Sequence, residues 1–248
     1  MRNVQAACRT VGPASGPSCS SLSDVLRSTS APAVRDALLF HAAFAGLAVG
    51  ALALPAPALG WRLLALVVLY SVALPLVGRA RGHAAWVRMW AFCALVSLFQ
   101  VLPDAFLATV LGALDFPATG GPRLGPVPLA MAGMWTIPLW IALFTARSLT
   151  RDLRVRIAWA ALVGGVLFVG AEATLWAVPI WRATGVATAG PVALYVIGPE
   201  VLLGGVACFA ELWTRAWRAP VRVAAAAGVM LVYLGALCVS YLLIEGGA

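Results

Sequence analysis

Val166–Trp181 reads VLFVGAEATLWAVPIW, and it sits inside an apolar run over 157–180 whose only charged residue is Glu172. A run of about 20 apolar residues is what an α-helix needs to cross the hydrocarbon core of a bilayer. Comparable runs lie near 36–55, 59–78, 85–107, 127–146, 190–213 and 221–244. The pattern predicts an all-α integral membrane protein, a seven-helix bundle over residues 34–248. Composition agrees: of 248 residues 62% are hydrophobic and 10% charged, with mean hydropathy +0.96. The spans consume nearly the whole chain, which leaves no room for a separate soluble domain.

Residues 1–33 are rich in Ser, Pro, Ala and Gly, carry Arg2, Arg9 and Arg27, and lack the apolar stretch of a signal peptide. A disordered tail is expected there, with a transit peptide as the alternative. The formal charge of +8 would suggest nucleic acid in a soluble chain, but here the basic residues lie in the connections between spans. No nucleic-acid partner is expected; they read as topology signals. Arg79, Arg81, Arg88, Arg147, Arg151, Arg154, Arg156, Arg215, Arg218 and Arg222 fall on the side of the tail, against Arg62, Arg123 and Arg182 opposite. The positive-inside rule then places the N-terminus in the cytoplasm and, with seven spans, the C-terminus outside. A bacterial inner membrane is the expected location.

All 17 basic residues are Arg, so a lysine Schiff base, and with it a retinal protein, is excluded. Five cysteines without CxxC spacing and two histidines, His41 and His83, give neither a disulfide framework nor an obvious metal site, and no cofactor is expected. Asp-rich diphosphate motifs, paired-histidine boxes and HExxH are all missing from the sequence.

What remains is the acids. A charged acid at the membrane centre costs about 2.5–3.5 kcal/mol on insertion scales, so such residues usually face a cavity or a partner. Glu172 lies in the stretch quoted above, Glu200 in Ala193–Phe209 (ALYVIGPEVLLGGVACF), and Asp104 follows Pro103 near the end of the third run. At a rise of about 1.5 Å per residue, Asp104 and Glu172 fall roughly 28 and 22 Å up from the cytoplasmic starts of their helices, and Glu200 roughly 14 Å down from the outer side. One chamber in the outer half could hold all three.

Cys93, Ser97, Gln100 and Asp104 form a polar stripe on the third helix, and Glu200, Gly204, Cys208 and Glu211 another on the sixth. Gly204, Ser97 and the cysteines read as helix contacts, whereas Glu172 and Glu200 read as functional. Asp104 could instead cap a short helix running toward Asp115. Glu211 and Glu245, at span ends, read as solvated.

The Gly- and Pro-rich connection between the third and fourth spans is either a lid or a solvated loop, with Asp115 and Arg123 as a charged pair above the chamber. Trp135 and Trp140, Trp176 and Tyr195 lie at the same level, Trp176 one turn beyond Glu172 on the same helix face. Trp61 and Trp181 read as interfacial anchors.

A carboxylic acid desolvated among rings can hold its proton at neutral pH and act as a general acid, while ring faces attract positive charge. A second carboxylate would remove the final proton. The expected function is therefore protonation of an alkene or epoxide of an isoprenoid-like lipid entering from the bilayer, with guidance of the resulting carbocation. Glu172, Glu200 and Asp104 would be its catalytic groups, and Trp176, Trp135, Trp140, Tyr195, Gln100, Asp115 and Arg123 would surround the substrate. The alternative is a proton-coupled transporter or lipid-handling protein using the same acids.

Pro103–Ile141 (PDAFLATVLGALDFPATGGPRLGPVPLAMAGMWTIPLWI), Gly170–Trp181 (GAEATLWAVPIW) and Val192–Gly204 (VALYVIGPEVLLG) resemble an uncharacterised family of bacterial and plant polytopic membrane proteins over roughly residues 95–212. More distantly, the size, span number and intramembrane acids resemble the integral-membrane terpene cyclases of meroterpenoid pathways. That second likeness is architectural and implies protonation-initiated chemistry without assigning positions.

Overall fold

Proline decides where the long runs break. A proline inside a helix cannot donate to the carbonyl four residues back and its ring crowds that carbonyl. Pro103 faces Phe99 in this way, and the third run divides at Gln100 into α3 (Ala84–Phe99) and α4 (Val101–Thr109). Pro138 stands in the same relation to Met134, and the fourth run divides at Trp135 into α5 (Met131–Met134) and α6 (Thr136–Leu149). These breaks appear in a computed structural model of the protein, which describes residues 29–246.

The remaining helices are α1 (Ala31–Ala53), α2 (Leu59–Ala80), α7 (Leu153–Ala173), α8 (Leu194–Thr214) and α9 (Ala219–Ile244). Counting α3 and α4 together, six helices among the described residues are long and apolar enough to cross a membrane. The protein is a multi-pass membrane protein. The expected fourth span over 127–146 is the exception: it opens on a strand and its two helical pieces are each too short. The expected tail lies largely outside the described residues, and α1 begins at Ala31, slightly earlier than anticipated.

Helix starts carry the usual signals. Pro32 and Pro220 occupy the first turns of α1 and α9, where the missing N–H costs nothing. The Asp152 carboxylate caps α7 by accepting from the Val155 N–H at 3.0 Å.

In lipid, apolar faces gain little by leaving one hydrocarbon for another, so helices associate through close packing. α7 and α8 meet at glycines. A Cβ on Gly204 would fall 2.4 Å from the Ala160 carbonyl oxygen, and one on Gly164 would fall 3.2 Å from the Gly204 Cα. The Arg-rich half of the bundle is filled by rings: Trp140 stacks on Phe144 and His41 and donates Nε1–H to the Trp86 carbonyl at 3.3 Å. His41 also bonds the Tyr70 hydroxyl at 3.0 Å, so its role there is structural.

At the opposite end six two-residue strands knit the connections together. β1 (Leu114–Asp115) pairs antiparallel with β4 (Arg182–Ala183), tying the loop after α4 to the loop after α7. β2 (Arg123–Leu124) with β3 (Val127–Pro128), and β5 (Thr188–Ala189) with β6 (Val192–Ala193), are tight hairpins. Gly125 and Gly190 turn them with φ of 61° and 62°, a region that L side chains seldom enter. The loop is thus an ordered cover rather than a loose link.

Candidate functional site

A cavity of about 300 Å³ lies beneath that cover, and Asp104, Glu172 and Glu200 all line it. Three different helices supply them. Asp104 sits in the first turn of α4, Glu172 in the last turn of α7 and Glu200 in the second turn of α8, just after Pro199. Their side chains are almost entirely buried, Glu200 with 4% of its surface exposed. Glu200 lies within electrostatic reach of both other acids. Among the described residues no three His, Cys, Asp or Glu are grouped closely enough to hold a metal ion.

Each acid meets a different set of donors. Glu172 Oε2 accepts from the Ala193 backbone N–H at 3.1 Å, with the Trp181 indole beside it. Asp104 Oδ2 accepts from Trp135 Nε1–H at 3.4 Å, a contact made by the two proline breaks acting together. Glu200 Oε2 is buried with no hydrogen-bond partner. A buried oxygen without a donor is costly unless something occupies the space it faces.

Six aromatic rings stand in an otherwise mainly aliphatic wall. Trp135 packs against Phe168 at 5.0 Å between centroids and against Tyr233 at 5.8 Å, and Phe116, Trp181 and Tyr195 complete the lining. Ile137, Ile141 and Leu167 line the cavity while half-buried, and Ala171 while exposed. Among the described residues of the lining, Ala171, on α7, is the one that is exposed.

Trp135 and Tyr195 stand where the sequence reading expected them, and the remaining predicted contacts do not. Trp176 is 82% exposed, because α7 ends at Ala173 and the chain turns away before the ring can follow Glu172. Trp140 belongs to the ring core of the Arg-rich half. Gln100 is fully buried at the α3–α4 break but does not line the cavity.

Asp115 and Arg123 do not pair with each other. Asp115 accepts from Arg182 Nε at 2.7 Å across the β1–β4 pair, and Arg123 donates to the carbonyls of Phe116 and Pro126. Both stiffen the cover without touching the cavity. Trp181, expected as an anchor, lines the cavity instead. Glu245 is half-buried and accepts from the Ala187 N–H through both oxygens. Glu211 is 2% exposed and paired with Arg215, not solvated.

Phe168 and Tyr233 are wall residues that the sequence reading missed. Tyr233 carried a signal: a polar aromatic midway along an apolar run, where a lone hydroxyl needs company.

No curated protein and no solved structure matches this chain. Residues 101–244, which run from the start of α4 to the end of α9 and so include all three acids, match the family described as Domain of unknown function (DUF6989). The chain belongs to that family.

Proposed function

We propose that this protein is a membrane-embedded enzyme that protonates and cyclises an isoprenoid-like lipid. One observation carries the reading: three buried carboxyl groups, one with an unpartnered oxygen, line a largely apolar cavity with six rings in its wall. Glu200 is the proton donor, because a carboxyl oxygen that meets no N–H loses least by carrying a proton. Glu172, already accepting a backbone N–H, is the group ready to receive one. Asp104 and its Trp135 partner fix the wall between them. The rings of Trp135, Phe168 and Tyr233 would steady developing positive charge by their negative faces. The walls would exclude water that would otherwise quench a cation.

The same reading has seven crossings, with α5 and α6 together making the fourth, the Arg-rich end in the cytoplasm and the cover outside. It places the protein in a bacterial inner membrane.

The test is turnover of epoxidised or polyunsaturated prenylated substrates by membranes containing the protein, analysed for cyclised isomers of unchanged mass. Wild-type protein is expected to give product, and Glu200→Gln and Glu172→Gln each to lower the rate by about 10²–10⁴-fold, the usual contribution of a general acid or base. Unchanged turnover in both variants removes the assignment. Proton-dependent uptake of a chemically unaltered solute into proteoliposomes would support the transporter reading instead.

A further inference from the structure

Charge in the acid-lined cavity is one-sided. Asp104, Glu172 and Glu200 line it, whereas among the described residues of its wall there is no Arg or His, and the chain has no Lys. Glu200 is 4% exposed and its Oε2 meets no donor. Carboxylates in so dry a place repel one another, and desolvation penalises each of them, unless a positive group stands among them. A metal ion is poorly suited to that role, since among the described residues no three His, Cys, Asp or Glu are grouped closely enough to hold one. An organic cation, larger and with its charge spread over several atoms, can span acids that stand apart.

The rings supply the rest of such a site. Tyr233 stands within electrostatic reach of all three acids. Trp135 packs against both Tyr233 and Phe168 and donates its Nε1–H to Asp104, so rings and carboxyl groups face one space. Ring faces attract ammonium groups, and most strongly where water is excluded. Leu107, Met131, Ile141 and Leu167 make the remaining wall apolar enough for a hydrocarbon tail. The volume of about 300 Å³ is roughly twice that of a cavity that encloses benzene, so the enclosed part of a ligand has on the order of a dozen non-hydrogen atoms.

We propose that the cavity binds a lipophilic amine, held as an ammonium ion against Glu200 with its hydrocarbon part among the rings. The resting protonation of Glu200 does not change the product of binding. If Glu200 is ionised, an ammonium ion enters with its proton in place. If Glu200 holds a proton, the amine nitrogen takes it, the O–H bond breaking as the N–H bond forms, and the two opposite charges stay together. An alkylamine is basic enough for this, with a pKa of about 10, as in a lysine side chain. The inference rests on the reading of this cavity as the functional site but not on cyclisation: contacts that would steady a transient carbocation hold a stable ammonium ion equally well.

The test uses the full-length protein in nanodiscs of phosphatidylcholine, with thermal unfolding followed against the concentration of N,N-dimethyldecylamine. Decyl methyl ether keeps the tail without a basic nitrogen, decanoate reverses the charge, and sodium chloride gives a cation without a tail. Wild-type protein is expected to show a saturable rise in Tm with the amine, half-complete at a concentration at least about tenfold below that of the ether, as a charged hydrogen bond gains over none. Decanoate and sodium chloride should not reproduce it. Glu200→Gln should weaken half-saturation by the amine by about tenfold to a hundredfold. Phe168→Leu, which removes a ring face and keeps the wall apolar, should weaken it by about twofold to fivefold.

No response to the amine, equal half-saturation by amine and ether, or a rise that decanoate or sodium chloride reproduces overturns the proposal. These arms use wild-type protein and decide the matter even where a variant fails to fold. An amine preference without turnover of prenylated substrates upholds this inference and counts against the enzyme reading, and turnover without an amine preference does the reverse.

Discussion

Glu172 does two separable jobs. Its Oε2 satisfies the Ala193 N–H at the point where β6 passes into α8, and its carboxyl group faces the cavity. A glutamine keeps an oxygen for that N–H, whereas a leucine leaves a buried donor unpaired, which costs about 1–3 kcal/mol. Glu172→Gln is therefore expected to unfold near the wild-type temperature and Glu172→Leu distinctly below it. If both unfold alike, the bond to Ala193 does not matter to the fold. The three acids were legible in the sequence because a carboxyl group in an apolar run has so few affordable places. Trp176 was misread because Thr174, Leu175 and Trp176 continue an apolar run without Gly or Pro, and only past the Ala173 helix end does the chain turn Trp176 outward while Leu175 stays buried. Trp181 was misread for the complementary reason: its place in the wall depends on the β1–β4 pair, between segments 67 residues apart.

Among elements, the α7–α8 contact controls the distance between Glu172 and Glu200, since each helix carries one of them. That contact depends on Gly204 lying against the Ala160 carbonyl. Gly204→Ala drives a Cβ into backbone that cannot rotate away, and overpacking of this kind costs about 1–3 kcal/mol. Gly170, on the same α7, has open space where a Cβ would stand. Gly170→Ala is expected to leave stability unchanged or raise it by about 0.5–1 kcal/mol, as alanine gains over glycine in a helix. Thermal unfolding of the two variants in one detergent checks this, and equal destabilisation would mean that the helices do not meet at Gly204. The sequence marked Gly204 as a contact through its place in a stripe of small and polar residues. It did not reveal the broken α3–α4 and α5–α6 helices: Pro103 and Pro138 were visible, but prolines are tolerated in membrane helices, and which ones interrupt them depends on packing.

For the whole molecule, the number of crossings follows from how the short helices α5 and α6 are counted. Met131–Leu149 contains 19 residues, about 28 Å of helix if the two pieces are nearly collinear, close to the thickness of the hydrocarbon core. The arginine distribution gives an independent constraint. Arg147 at the end of α6 and Arg154 at the start of α7 belong with Arg79, Arg81, Arg215 and Arg218 only if the chain crosses once between Thr109 and Arg147. Seven crossings keep all of these on one side, and six would leave some of them opposed. A fluorescent protein that folds only in the cytoplasm, fused to the C-terminus of the full chain, should therefore stay dark, and alkaline phosphatase at the same point should be active. The reverse result would put both termini on one face and turn the α5–α6 segment into a re-entrant loop. The cover would then no longer lie on one side of the membrane, and an acid cavity in the outer half would have to be abandoned.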